Sequence, residues 1–128
     1  MRVLLDTCTF LWMANDAPEL SSLARDQIGD PDNEVFLSAV SAWEIAIKHS
    51  LGSLPLPDRP ERFVPEARAK HGIEALPLEE ESALHLTRLP KLHRDAFDRM
   101  LVCQGIVGGL VILTPDPLIT QYPVPTSW

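Results

Sequence analysis

The chain begins with a short apolar run, Val3-Leu4-Leu5, that stops at a carboxylate, Asp6. A run of this kind predicts a buried, central strand of a parallel sheet with the acid at its carboxyl end. Because ligands of open α/β folds bind outside that end of the sheet, Asp6 is a candidate site residue. The alternative is that Asp6 only caps the helix that we expect to begin near Thr9.

The rest of the chain alternates between predicted helices and strands. After a first helix over 9–15, apolar periodicity and turn residues predict helices over 21–29, 38–51, 61–71, 79–89 and 95–108. Further strands are predicted over 34–38, 73–78, 110–114 and 124–128, the last of them at the edge of the sheet. No internal repeat interrupts this pattern.

Length and composition favour one small globular domain. Of the 128 residues 45% are apolar, so we expect residues 1–128 to form a single domain. The first apolar run is too short for a signal peptide, and no later run approaches the roughly 20 residues of a membrane span. We therefore expect a cytoplasmic protein with no membrane partner. In that reducing compartment, Cys8 and Cys103 should be buried thiols rather than a disulfide, a metal pair or a nucleophile.

The net charge of −7 argues against indiscriminate binding to a polyanion such as nucleic acid. Two observations weaken this argument. Some of the acids are candidate metal ligands, and three basic residues cluster beside two of them: Lys91, Arg94 and Arg99. Because a local basic rim can coexist with an acidic molecule, the charge still permits a nucleic-acid substrate.

The helix predicted over 38–51 carries a second informative acid, Glu44. At about 100° per residue, one apolar stripe of this helix is expected to face the core: Val40, Trp43, Ile47 and Leu51. Glu44 falls inside that stripe, where a carboxylate is costly to desolvate unless something compensates it. The alternative is an i,i+4 ion pair with Lys48. The opposite side is also apolar, so a second subunit is one candidate for covering this helix.

The helix predicted to begin near Asp95 also carries a carboxylate on an apolar face. Asp98 shares a face with the apolar residues that follow it, so a carboxylate again points inward. Asp95 is either an N-cap or an outlying member of the same group of acids. His93 is expected to be either a loop residue or a residue that supports a ligand, rather than a ligand itself. Arg94 and Arg99 are either part of a solvated face or phosphate contacts.

A fourth acid, Asp116, follows the strand predicted over 110–114. With Pro117 at the first helical position, Asp116 is well suited to be an N-cap, which is the structural alternative. It nevertheless stands where Asp6 stands, just past the carboxyl end of a core strand.

Four acids are thus predicted to meet at one edge of the sheet: Asp6, Glu44, Asp98 and Asp116. Carboxylates that lie close together repel each other, so either some become protonated or a cation is recruited. Because no cysteine pair or suitably spaced histidine accompanies them, the cation should be a hard one, Mg²⁺ or Mn²⁺ rather than Zn²⁺. Such a centre typically acts on phosphate esters.

Four segments, in the order of the chain, resemble the successive motifs of PIN-domain proteins, and more closely those of VapC-type toxins of bacterial toxin–antitoxin pairs: LLDT at 4–7, SAWEIAIK at 41–48, HRDAFDRML at 93–101 and TPD at 114–116. The resemblance covers essentially the whole chain. It implies a three-layer α/β/α sandwich with a central parallel sheet. It also implies a Mg²⁺- or Mn²⁺-dependent endoribonuclease, usually a homodimer, that a cognate antitoxin inhibits with a tail entering the acidic site.

The resemblance also implies roles for individual residues. Asp6, Glu44 and Asp98 match the metal-binding acids of the family, and Asp116 matches a fourth, more variable one. On this hypothesis the acids hold one or two ions that activate a water for attack on an RNA phosphodiester. Five neighbours are predicted to support the acids or to contact RNA: Thr7, Lys91, Arg94, Asp95 and Arg99.

Three positions depart from the family pattern. Cys8 stands where relatives often have histidine, Ala96 replaces a common proline, and Cys103 replaces a small residue, which bears on substrate choice more than on chemistry. Two other functions are compatible with parts of this pattern. A phosphatase with an aspartyl nucleophile needs a second acid two residues after Asp6, where this chain has Cys8. A non-catalytic PIN-fold module that binds a protein has no need of acids at all four places, so we favour the nuclease.

Overall fold

The apolar run at the start of the chain forms the central strand of a parallel sheet in the computed structural model, which describes residues 1–128. The strands are β1 (Arg2–Leu5), β2 (Glu34–Ser38), β3 (Glu74–Leu76), β4 (Val111–Leu113) and β5 (Thr126–Ser127). Their order is β3-β2-β1-β4-β5, and every neighbouring pair is parallel. The predicted central strand and the predicted edge strand at the end of the chain are both confirmed.

Seven helices connect and cover the strands, and each predicted helix has a counterpart among them. They are α1 (Thr7–Ala14), α2 (Ser22–Gly29), α3 (Ala39–Ser50), α4 (Pro60–His71), α5 (Glu80–Leu84), α6 (Ala96–Gly108) and α7 (Pro117–Thr120), with a 3₁₀ turn over His85–Arg88. Helix α1 begins two residues earlier than predicted because Asp6 caps it. The strand predicted over 73–78 is reduced to β3, since Pro77 has no backbone N–H to donate to a neighbouring strand.

Successive residues of β1 point to opposite faces of the sheet and contribute to two cores. Val3 and Leu5 belong to a core that α1, α2 and α4 close, with Phe10 fully buried in it. Leu4 belongs to a second core that α6 and α7 close, with Leu101 fully buried. The result is the three-layer α/β/α sandwich that the resemblance implied.

Helix α3 shows that the predicted core-facing stripe was wrong. Trp43 is 59% exposed and Leu51 is 75% exposed. The buried residues of α3 are Val40, Ser41, Glu44 and Ile45. Because both sides of this helix are apolar, the helical wheel alone could not decide which side packs on the sheet. Glu44 is buried as predicted, but the reason differs from the prediction. Glu44 lies beside the buried Ile45, whereas Leu51, the expected neighbour on its stripe, is exposed.

The two cysteines differ in their surroundings. Cys103 is buried, as expected, whereas Cys8 is exposed, and both are free thiols. The expectation for Cys8 was wrong because the buried side of α1 carries Thr7, Thr9, Phe10 and Met13 and leaves Cys8 on the outside. None of the helices combines the length and the apolar character that a membrane span requires.

Candidate functional site

The carboxyl ends of β1 and β4 place two of the predicted acids at one edge of the sheet. Asp6 follows β1 and caps α1, and Asp116 follows β4 and caps α7. The two strands are adjacent and parallel, with Leu5 paired to Leu113 at that end. Both helix-cap alternatives are therefore correct, and both acids also stand at the sheet edge where ligands of α/β folds bind.

Two helices supply the other two acids. Glu44 lies on α3, which directly follows β2, and Asp98 lies in the first turn of α6. Helix α3 contacts both α1 and α6. This packing carries Glu44 toward the helix that Asp6 caps and toward the helix that carries Asp98.

Asp6 is a buried carboxylate that serves as a helix cap. Its Oδ1 accepts the backbone N–H of Thr9 at 2.6 Å, and its Oδ2 accepts the hydroxyl of Thr114. Burial raises the pKa of Asp6 above its ordinary value, the charge of Asp116 adds to the rise, and the hydrogen bonds from Thr114 and Thr9 oppose it. No basic side chain pairs with Asp6, so its negative charge is not neutralised within the protein.

Glu44 is also buried, but it has a basic partner. Lys48 Nζ lies 2.5 Å from its Oε2, and the hydrogen bond to Glu44 is the main cause that raises the pKa of Lys48. The Thr7 hydroxyl lies 2.7 Å from Glu44 Oε1 and 3.0 Å from the hydroxyl of Ser41. Glu44 is therefore both the inward-facing acid and a member of the ion pair with Lys48, so the two alternatives hold together. Thr7, a predicted supporting residue, contacts this acid.

The surroundings of Asp98 clearly disfavour the charged form of its carboxylate. Its pKa is raised from 3.8 to about 6, chiefly by burial and further by the charges of Asp95, Glu44 and Asp116, while a hydrogen bond from His93 opposes the rise. Asp95 is the N-cap of α6, since its Oδ1 accepts the backbone N–H of Asp98 at 3.0 Å. The cap alternative for Asp95 is therefore correct.

Thr114 connects two of the acids and was missed in the sequence. Its hydroxyl donates to Asp6 Oδ2 and accepts the backbone N–H of Asp116 at 3.1 Å. Asp116 in turn accepts the backbone N–H of Leu118 at 2.9 Å. The available signal was a hydroxyl residue between the end of a buried strand and an acid, which is a common arrangement for local hydrogen bonding.

The four predicted acids influence one another across the edge of the sheet. Partial shielding from water and then the charges of Asp6, Glu44 and Asp98 raise the pKa of the Cys8 thiol to about 11, with Lys48 opposing them. These acids therefore lie near enough for their charges to influence one another. No three His, Cys, Asp or Glu side chains converge tightly enough to form a ready-made metal-binding group.

The donor chemistry of this group nevertheless fits a hard divalent cation. Its protein donors are carboxylate oxygens, which Mg²⁺ and Mn²⁺ prefer, and Mg²⁺ commonly binds through only one or two carboxylates plus water and phosphate. Lysine or arginine neutralises only Glu44 among the four acids. A buried excess of negative charge of this kind is stabilised by a bound cation.

The predicted basic rim lies beside α6. Lys91 and Arg94 are exposed in the segment before the helix, and Arg99 follows Asp98 within it. None of the three forms an ion pair with an acid, and the Nε atom of Arg99 is buried without a hydrogen-bond partner. These cations are therefore available to an anionic ligand.

Comparisons with known proteins identify the fold. The sequence model of the PIN domain matches residues 3–124. Over 61 residues, 48% of this chain, the sequence is 38% identical to Ribonuclease VapC16 of Mycobacterium tuberculosis, and the aligned segment covers 43% of that relative.

Two solved structures are similar over almost the whole chain. A chain in the crystal structure of VapBC2 from Rickettsia felis, bound to a fragment of promoter DNA, has a TM-score of 0.76 at 11% identity, with 99% of this chain and 98% of that chain covered. A chain of VapBC-1 from nontypeable Haemophilus influenzae has a TM-score of 0.67 at 19% identity, with 99% and 97% covered. At these identities the likeness establishes the fold alone.

Proposed function

This chain belongs to the PIN domain family, and from that premise we propose that it is a divalent-metal-dependent endoribonuclease that acts as the toxin of a toxin–antitoxin pair. The observation that carries the proposal is the set of four acids at one edge of the sheet, three of which have no lysine or arginine paired with them. The similarity to Ribonuclease VapC16 supports RNA as the substrate class.

We assign Mg²⁺ or Mn²⁺ to the four acids Asp6, Glu44, Asp98 and Asp116. The ion supplies Lewis acidity toward a water molecule and toward the phosphate oxygens of the scissile bond. The protein fixes the ligands in advance: Thr9 and Thr114 orient Asp6, while Lys48 and Thr7 hold Glu44. Preorganised ligands need little rearrangement during the reaction, which favours catalysis.

The proposed reaction is hydrolysis of an RNA phosphodiester bound between the four acids and the basic residues beside α6. Water attacks phosphorus in line with the leaving oxygen, so that one P–O bond forms and one breaks without a covalent enzyme intermediate. Glu44 is either a ligand or the group that orients the attacking water. Lys91, Arg94 and Arg99 bind the RNA backbone, which compensates locally for the negative net charge.

A cognate antitoxin is the proposed protein partner. The structural neighbours are described as VapBC assemblies, which supports a partner of this kind. An antitoxin segment with a basic side chain complements the carboxylates that have no lysine or arginine beside them, and it would compete with both the ion and the RNA.

We also propose a homodimer that covers the exposed side of α3. Trp43 is 59% exposed and packs edge-on against Phe97 of α6, with ring centroids 5.1 Å apart. Leu51 extends the same side of α3 and is 75% exposed. Exposed aromatic and aliphatic groups of this size mark interaction surfaces.

Replacing Trp43 by glutamate is expected to convert the dimer into a monomer, because a buried unpaired carboxylate at an interface is costly. The mass is measured by light scattering after size exclusion at several concentrations. Leu23→Glu on α2 is the matched control, since Leu23 is 49% exposed on another helix, and it should remain dimeric. A wild-type monomer at every concentration, or a dimeric Trp43→Glu variant, would contradict this surface.

The nuclease is tested directly by incubating purified protein with RNA in Mg²⁺, in Mn²⁺ and in excess chelator. Cleavage is expected with either ion, and the chelator should abolish it because the acids then have no cation to hold. Asp26→Asn, a change of an exposed acid on α2, should cleave as the wild type does. If the wild type cleaves no RNA under any condition, the non-catalytic protein-binding module becomes the better interpretation.

A further inference from the structure

His93, expected from the sequence to be either a loop residue or a support for a ligand, bridges Asp98 to the core. Its Nε2 lies 3.1 Å from Asp98 Oδ2, and its Nδ1 lies 2.7 Å from the hydroxyl of Tyr122. The imidazole is well shielded, with only 10% of the side chain exposed. The sequence gives no local sign of this contact, because Tyr122 is 29 residues away.

Tyr122, which bonds to the His93 ring, is held firmly in the core. It is 3% exposed and belongs to the core closed by α6 and α7. Its backbone N–H donates to Ile119 at 3.1 Å, and its carbonyl accepts from Val124 at 2.8 Å, so the main chain is held on both sides. The position of its hydroxyl is therefore set by packing and not by the loop that carries His93.

The hydrogen bonds on the two sides of His93 select one tautomer of the neutral imidazole. The Asp98 carboxylate can only accept, so Nε2 carries the hydrogen and Nδ1 accepts the O–H of Tyr122, whose oxygen also accepts the backbone N–H of His93 at 3.2 Å. A neutral imidazole that accepts at Nδ1 carries its hydrogen at Nε2. The Nε2–H group then donates to Asp98 Oδ2, so a chain of directed bonds runs from the core to the acid.

We propose that His93, held by Tyr122, is a positioning residue that fixes the orientation of the Asp98 carboxylate for metal binding. The inference rests on the proposed function, in which Asp98 is a metal ligand. With Oδ2 engaged by His93, Oδ1 is left for the ion. Partners that orient a metal ligand in this way commonly change metal affinity or activity by about 10- to 100-fold when they are removed.

Three substitutions distinguish a role of His93 in orienting the Asp98 carboxylate from a role in stabilising the loop that carries His93. His93→Leu removes the bond to Asp98, and His93→Gln places an amide N–H where Nε2–H was. Tyr122→Phe keeps the ring in the core and removes only the hydroxyl that bonds to Nδ1. His49→Leu is the matched control, because it removes a 3.0 Å hydrogen bond to the Leu54 carbonyl that has no contact with the acids.

The first measurement needs no metal. Long-range ¹H–¹⁵N NMR of the metal-free wild type is expected to show His93 protonated at Nε2 and unprotonated at Nδ1. The second is the affinity for Mn²⁺ alone, measured by electron paramagnetic resonance. We expect His93→Leu to bind about 10- to 100-fold more weakly, His93→Gln to bind close to wild type, and Tyr122→Phe to be intermediate.

The outcomes distinguish this inference from the proposed function. If His93 carries its hydrogen at Nδ1, or if His93→Leu binds Mn²⁺ as tightly as the wild type does, the positioning role is overturned and the nuclease proposal stands. An equal loss of affinity in His49→Leu would also overturn it, because the effect would then follow general destabilisation. If the wild type binds no Mn²⁺, the proposed function fails, and the positioning role fails with it.

Discussion

Replacing Asp98 by asparagine is expected to lower RNA cleavage at least about 100-fold, which corresponds to a loss of about 2.7 kcal/mol of transition-state stabilisation. The amide has nearly the shape of the carboxylate and can still accept the hydrogen bond from His93, but it carries no charge to hold a divalent ion. Initial rates on a defined RNA in Mg²⁺, compared with those of Asp26→Asn, measure the effect. Cleavage within a few-fold of wild type would remove Asp98 from the site.

The same substitution is expected to stabilise the metal-free protein. The pKa of Asp98 is about 6 in the folded state against 3.8 ordinarily, so the folded protein binds more protons than the unfolded chain between about pH 4 and pH 6. Stability of the metal-free wild type therefore falls as pH rises through that window and stays lower above it. The shift sets an upper limit of about 3 kcal/mol on this cost.

Because Asp98 retains some contact with solvent, we expect asparagine to add about 1–2 kcal/mol at neutral pH, or a rise of a few degrees in Tm. Tm measured between pH 4 and pH 7.5 in the presence of a chelator tests this expectation. The contribution of Asp98 to the pH dependence should disappear in the variant. A variant that is less stable than the wild type at pH 7 would show that the buried charge is already compensated within the protein.

Replacing Asp6 by asparagine and by alanine is expected to separate its two functions. Both variants should lose RNA cleavage at least about 100-fold, because neither has a carboxylate at the end of β1. Asparagine is as good an N-cap as aspartate, so it keeps the bond to the N–H of Thr9, whereas alanine leaves that N–H and the donor of the Thr114 hydroxyl without acceptors.

The alanine variant is therefore expected to be about 1–3 kcal/mol less stable than the asparagine variant, as measured by urea denaturation in chelator. This comparison isolates the cap, since both substitutions remove the same charge. If Asp6→Asn cleaves RNA like the wild type, Asp6 is a helix cap and nothing more. If the two variants are equally stable, the cap contributes little and α1 is held by packing.

Several elements could be predicted because their cause lies in adjacent residues. The apolar run before Asp6 predicted β1, since a run of three apolar residues is too short for a helix and fits a strand with both faces buried. Ser21, Ser38, Asp95 and Asp116 predicted helix starts, since a cap binds the N–H groups of the next turn. Glu44 was predicted to be buried, but on a stripe with Trp43 and Leu51 that the structure leaves exposed.

Other features depended on packing between elements and could not be predicted in the same way. The choice between the two apolar sides of α3 was wrong because it is made by the sheet and not by the helix. Cys8 was expected to be buried, but only the position of α1 against the sheet leaves it outside. For His93 the sequence could not decide between a loop residue and a support for a ligand, because its partners lie on α6 and near the end of the chain.

The amino-acid sequence by itself determined the alternation of strands and helices, the helix caps and the spacing that pairs Lys48 with Glu44, because each depends on residues within one or two turns. Only the tertiary structure decided which residues of other segments hold the predicted acids, such as Thr114 at Asp6 and Thr7 at Glu44. It also revealed the bridge from Tyr122 through His93 to Asp98. These contacts join distant segments, so they exist only once the sheet has brought its strand ends to one edge.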